Sequence, residues 1–113
     1  MSAVTAATCT TPLTATALAD EDADALAVLF GALADPARIK VMHRLASVAP
    51  EGVCVCDLLE PLGLTQSAVS YHLKVLLQSG LVRRERRGQF NFYALRTDAL
   101  TRLATVVGTA AIA

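Results

Sequence analysis

Leu26, Leu29, Phe30 and Leu33 fall at i, i+3, i+4 and i+7, the spacing of one face of a helix. The same period returns in Ile39, Met42, Leu45 and Ala46, then in Val69, Leu73 and Leu76, and again in Leu100, Leu103, Ala104 and Val107. After Gly80 the pattern changes. Leu81 to Glu85 and Phe90 to Leu95 read as two strands around a basic turn at Arg87-Gly88-Gln89.

The punctuation agrees with these elements. Asp20, Glu21 and Asp22 open the first helix, where acids meet unpaired N–H groups. Asp35-Pro36 starts the second, with Asp as N-cap and Pro in the first turn, and Pro50-Glu51-Gly52 ends it. A short segment from Cys54 to Leu62 stops at Gly63. Thr65 caps the next helix and Ser79-Gly80 closes it. A short helix, a turn and a second helix make a helix-turn-helix, and the hairpin after it makes a wing. Thr97 opens a last helix. The expected fold is α+β, mainly α: a winged helix-turn-helix of about five helices and a two-stranded β wing. Residues 1–19 lack periodicity and read as a flexible N-terminal arm, leaving residues 20–113 for the DNA-binding and dimerisation domain.

At 113 residues the chain holds one domain. With no Trp and few aromatics, Leu, Val and Ala must fill the core. The net charge is zero, yet the charges are unevenly spread. Residues 1–60 carry eight acids against three basic residues, whereas residues 65–88 carry Lys74, Arg83, Arg84, Arg86 and Arg87 against Glu85 alone. A local basic face is what contact with phosphates needs. No apolar run is long enough to span a bilayer and the N-terminus lacks the layout of a secretion signal. Three Cys without an export signal imply free thiols in a reducing compartment, hence a cytoplasmic protein with no membrane partner.

Four parts of the chain carry a family resemblance. Ala32-Leu33-Ala34-Asp35-Pro36-Ala37-Arg38 resembles the "ALADPtR" motif of the ArsR/SmtB metalloregulators. Val53-Cys54-Val55-Cys56-Asp57-Leu58 is similar to the thiol box of that family's arsenic and cadmium/lead sensors. Ser67 to Leu76 resembles its recognition helix, and Gly80-Leu81-Val82 with Gly88 to Leu95 its wing. The likeness covers roughly residues 26–107. It implies a homodimer joined through the first and last helices, bound to double-stranded operator DNA and released by a thiol-seeking ion.

Early residues of a recognition helix meet bases and phosphates. Gln66, Ser67, Ser70, Tyr71 and His72 are polar and early, and Lys74, Arg84, Arg86 and Arg87 would add charge, partly through the wing. The same residues also fit a solvated polar face. Tyr71 can instead pack on the scaffold, and His72, three residues after Val69, can be half buried.

Cys54 and Cys56 are two residues apart, which in a regular helix turns their side chains about 200° from each other. An extended or unwound stretch brings the sulfurs together, and a helix N-terminus lowers a thiol's pKa. Trivalent arsenic prefers three sulfurs, and Cys9 is the remaining thiol. The resemblance implies Cys9, Cys54 and Cys56 as the ligand set and arsenite or antimonite, As(III) or Sb(III), as effector in a site shared between subunits. Cadmium/lead sensors of the family usually carry a second arm cysteine, absent here. A cadmium/lead sensor and a thiol-redox repressor are the alternatives. Inert apolar thiols are the plainer reading of the same residues. His43 reads as a surface residue, and the last helix offers Asp98 alone as a carboxylate with no His, so the family's zinc site there is missing. Structural zinc wants four ligands at wider spacing.

An enzyme is not expected, nor a catalytic cofactor. A thiol reductase with a phosphate loop needs an Arg six residues after its Cys, and the three thiols are followed there by Ala15, Glu60 and Leu62. No CxxC pair exists.

Overall fold

The computed structural model describes Pro12, Leu13, Ala15 and residues 17–108. In chain order the elements are α1 (Asp20–Leu33), α2 (Pro36–Val48), β1 (Val53–Cys54), α3 (Cys56–Leu62), α4 (Gln66–Ser79), β2 (Val82–Arg87), β3 (Phe90–Leu95) and α5 (Thr97–Val106). The five helices and the hairpin match the expected winged helix. The sheet differs: it has three antiparallel strands in the order β1-β3-β2. Val53 pairs with Tyr93 and Cys54 with Phe92. Two residues are too few for alternation to reveal a strand, so β1 is invisible as a pattern. The hairpin turn is also tighter than expected. Arg87 pairs with Phe90 across Gly88 and Gln89 alone, and Gly88 supplies the positive φ of 62° that this turn demands.

Helix ends follow side-chain chemistry. Asp35 Oδ1 accepts from the Ala37 and Arg38 amides at 2.8 and 3.4 Å, and Pro36 follows it at the first helical position. Burial pushes the Asp35 carboxyl up, but these amides, with the Arg38 charge, outweigh it and hold the carboxyl below its ordinary value. Thr65 Oγ1 accepts from the Ala68 amide at the start of α4. At the other end Gly80 turns left-handed, and Gly80 and Leu81 donate back to Leu77 and Leu76.

The core gathers around α4. Val69, Leu73 and Leu76 are fully buried against Leu29, Val41, Leu45, Leu58 and Leu81. On α2 the inward stripe is Val41, Met42 and Leu45, while Ile39 points outward at 54% exposure and Ala46 is exposed. Arg38 accounts for this rotation. Its Nε donates to the Ala32 carbonyl at 2.7 Å and its Nη2 to Gly31, both at the C-terminal end of α1. Its Nη1 lies 3.1 Å from His72 Nδ1 on α4. A guanidinium only donates, so His72 Nδ1 accepts and the ring proton sits on Nε2. One side chain thereby ties α1, α2 and α4. Arg38→Ala is expected to lower stability by about 1.5–3 kcal/mol, the range for charged hydrogen bonds, as read by urea unfolding. Arg38→Lys is expected to restore little, because an ammonium cannot span both carbonyls and the imidazole.

A second, smaller cluster joins the ends of the fold. Leu26 of α1 packs with Val106 of α5 and with Ala25. The Leu13 amide donates to the Val106 carbonyl at 2.9 Å, so part of the expected arm is hydrogen-bonded to α5. Leu18, Val28, Phe30 and Val107 stay exposed around these two helices. On α5 Ala99 and Val106 are buried, Leu100 and Leu103 are half-buried, and Ala104 is exposed.

Candidate nucleic-acid interface

With Val69, Leu73 and Leu76 turned into the core, the helical period puts Gln66, Ser67, Ser70, Tyr71 and Lys74 together on the opposite, exposed side of α4. Tyr71 is 60% exposed and is not a scaffold residue. His72 lies off this stripe. It is half-buried, bonded to Arg38, and meets the Tyr71 ring edge-on at 5.6 Å. It steadies the base of the recognition helix rather than extending its exposed face.

Strand alternation sorts the wing arginines. Residues paired across an antiparallel ladder share a face, so Arg84 goes with Tyr93 and Arg86 with Asn91. Tyr93 is buried, so this face continues from the core outward. Arg84 and Arg86 have no carboxylate within ion-pair distance among the described residues, and Arg86 Nε donates to the Gly88 carbonyl. Arg83, Glu85 and Arg87 lie on the other face. There Arg87 binds Glu85 at 2.8 Å, Arg83 approaches it at 4.0 Å, and the Arg87 guanidinium stands 4.4 Å over the Phe92 ring. The hydrogen bond from Arg87 holds the Glu85 carboxyl below its ordinary value. Arg87 is thus held by a carboxylate, while among the described residues Arg84 and Arg86 are not.

Beside this surface stand the two thiols. Cys54 ends β1 and is buried; Cys56 begins α3 and is exposed. Because the first is extended and only the second is helical, the angular conflict of a CxC pair in one helix does not arise. Cys56 Sγ approaches Cys54 Sγ to 3.0 Å. Two sulfurs bound at about 2.3 Å to one ion, at a near-right angle, stand about 3.3 Å apart. The pair therefore fits a shared thiophilic ion after a shift of a few tenths of an ångström. The expectation of a lowered thiol pKa fails for Cys56. Its hydrogen bond with Cys54, partial desolvation and the neighbouring Asp57 carboxylate all push the thiol up, and outweigh the α3 amides. Among the described residues no group of three or more Cys, His, Asp or Glu is placed to hold a metal, and Cys9 lies outside the described residues. His43 is exposed.

Cys56 borders two cavities. One, of about 590 Å³, is edged by Glu51, Asp57 and Glu60, with Arg44 as its cation. The other, of about 380 Å³, lies between Cys54, Cys56, the Gln66 and Ser70 side of α4, and Gln89 and Asn91 of the wing.

Residues 35–84 match the family model described as "Bacterial regulatory protein, arsR family". The chain is 40% identical over 74 residues to the arsenical resistance operon repressor of Bacillus subtilis, covering 66% of this chain and 69% of that protein. The chain belongs to the arsR family.

A transcriptional repressor SmtB homolog of Synechocystis sp. is 36% identical over 83 residues, 74% of this chain and 61% of that relative. The matches therefore span some two-thirds of these relatives' lengths. Among solved structures, HlyU from Vibrio cholerae superposes with a TM-score of 0.62 at 30% identity, over 76% of this chain and 91% of that one. An ArsR-like transcriptional regulator from Rhodococcus sp. gives 0.61 at 26% identity, over 70% and 72%. The arsR-family chain is accordingly a helix-turn-helix transcriptional regulator and not an enzyme. No helix among the described residues is long and apolar enough to cross a membrane.

Several residues of this arsR-family surface escape a reading by composition. Asn91 and Gln89 border the same cavity as the thiols, and only strand register shows it. Arg38 was legible as part of a motif, but its reach to α1 and α4 was not. The split between Arg84/Arg86 and Arg83/Arg87 is available from period-two alternation once the strand bounds are known.

Proposed function

We propose that the chain is a homodimeric repressor that binds operator DNA and releases it when As(III) or Sb(III) is held by Cys54 and Cys56, with Cys9 as third sulfur. The observation that carries this reading is the 3.0 Å approach of two free thiols beside the recognition helix. An arsenical resistance repressor among the relatives supports the choice of ion. Gln66, Ser67, Ser70, Tyr71 and Lys74 meet the major groove, with Arg84 and Arg86 on the flanking backbone. Arg87 contributes charge at the wing tip, and His72 acts by holding α4. Dimerisation covers Leu18, Val28, Phe30 and Val107, and two-fold symmetry sets two recognition helices one DNA turn apart.

Residues 1–19 serve as the arm that delivers Cys9, and residues 20–113 form the domain. Cys9 stands four residues before Leu13, whose amide is bonded to Val106. While that bond holds, its Cα reaches at most about 14 Å from that of Leu13. A bound ion would supply soft Lewis acidity; the chain would supply the sulfurs of Cys54 and Cys56, each losing its proton as the ion binds, and the β1–α3 corner that holds them. Effector and DNA must weaken each other by the same factor.

The test is fluorescence anisotropy of the reduced protein on promoter DNA, titrated with arsenite, for the wild type and Cys9→Ser. Release in the wild type with a weakened response in Cys9→Ser is the expected result. Equal release in both removes Cys9 from the site. No release in either overturns arsenic sensing.

A further inference from the structure

The thiols and the DNA-facing elements share one cavity, and that sharing bears on how release occurs. The α4 stripe enters a major groove, and the wing hairpin reaches the minor groove beside it. Whatever lies between α4 and the wing must then face the sugar–phosphate strand that separates the two grooves. In this protein that place is the cavity of about 380 Å³. Its rim carries neutral donors suited to phosphate oxygens: the amides of Gln66, Gln89 and Asn91 and the hydroxyl of Ser70. Asn91 pairs with Arg86, and Tyr93 with Arg84, so both arginines share the sheet face of those two lining residues, whereas Cys54 pairs with Phe92 and joins the lining from the end of β1. The lining also includes Cys56, which is open to solvent. The acid-edged cavity on the other side of Cys56, with Glu51, Asp57 and Glu60, repels phosphate and leaves a single DNA-facing side.

We infer that the DNA backbone and the thiol-bound effector compete directly for this one cavity, so that release needs no relay through the dimer. The inference rests on the proposed thiol site for its effector, but its geometry concerns Cys56 and DNA alone. A group held across both sulfurs would occupy space in the cavity that the phosphate strand would face. Binding of either partner then excludes the other by occupancy. A distant relay would instead leave a ternary complex of protein, DNA and effector with a finite loss of affinity.

Two measurements on the full chain carrying Cys9→Ser test this. The first needs no arsenical: the rate of Cys56 alkylation by iodoacetamide, read by peptide mass spectrometry, with and without a saturating duplex selected for binding from a random pool. At least tenfold protection by the duplex is expected; an unchanged rate overturns the inference whether or not arsenic is sensed. The second uses phenylarsine oxide, whose arsenic has two exchangeable positions and matches the two remaining thiols. The apparent Kd for DNA is expected to rise in proportion to free phenylarsine oxide with no ceiling. A plateau at a fixed multiple marks a ternary complex and overturns direct competition. Protection of Cys56 together with no effect of phenylarsine oxide upholds the cavity as a DNA contact, and overturns both the competition and the proposed sensing by the pair.

Discussion

Cys56→Ser is expected to raise the arsenite concentration for half-maximal DNA release by about 10²–10⁴-fold, the loss when one arm of a chelate is removed. The residue is exposed, so its removal is expected to change folding stability by no more than about 0.5 kcal/mol. DNA affinity without effector should therefore persist, and anisotropy titrations with and without arsenite separate the two effects. Cys54→Ser should abolish the response as fully, but at a further cost. Cys54 is buried in β1 opposite Phe92, and a hydroxyl there must find a partner or lose about 1–3 kcal/mol. Cys56 is thus the cleaner probe of sensing. A Cys56→Ser protein that still releases DNA at the wild-type arsenite concentration would remove the pair from the mechanism.

The second large effect belongs to the wing. Arg84→Ala combined with Arg86→Ala is expected to lower DNA affinity at least about 150-fold at low salt, since each charged hydrogen bond to phosphate contributes about 1.5–3 kcal/mol. It should also reduce the slope of log K against log salt by about 1.8, the signature of two lost phosphate contacts. The matched pair Arg83→Ala with Arg87→Ala removes the same formal charge from the same strand. Because Glu85 already engages both of those arginines, its expected loss is smaller and its slope nearly unchanged. A difference between the two double variants separates contact geometry from bulk charge. Equal losses would mean that alternation on β2 does not decide which cations meet DNA.

Much of this surface was readable from sequence because local chemistry fixes it. Asp35-Pro36 starts α2 and Thr65 starts α4 as their side-chain chemistry requires, and Gly80 ends α4 in the left-handed turn that few other residues adopt. The α4 stripe follows from Val69, Leu73 and Leu76 alone. What stayed hidden depends on contacts distant in sequence. Ile39 fits an inward stripe by spacing, yet Arg38 reaching back to Ala32 and across to His72 turns it outward. His72 is polar and early in α4, but neither its type nor its position reveals its bond to Arg38. Strand β1 exists only because β3 is there to pair with it. The same pairing places Cys54 in extended backbone, which lets a spacing unsuited to a helix bring two sulfurs together.

The carboxylate on β2 has a kinetic meaning beyond its ion pairs. A repressor finds its operator among a vast excess of other sequence, and every cation aimed at the backbone lengthens its stay at each wrong position. Glu85 withholds two of the wing's four strand arginines from that sequence-blind attraction. On the proposed interface, this and a net charge of zero leave Arg84 and Arg86 as the wing's backbone cations and shorten idle residence at wrong positions.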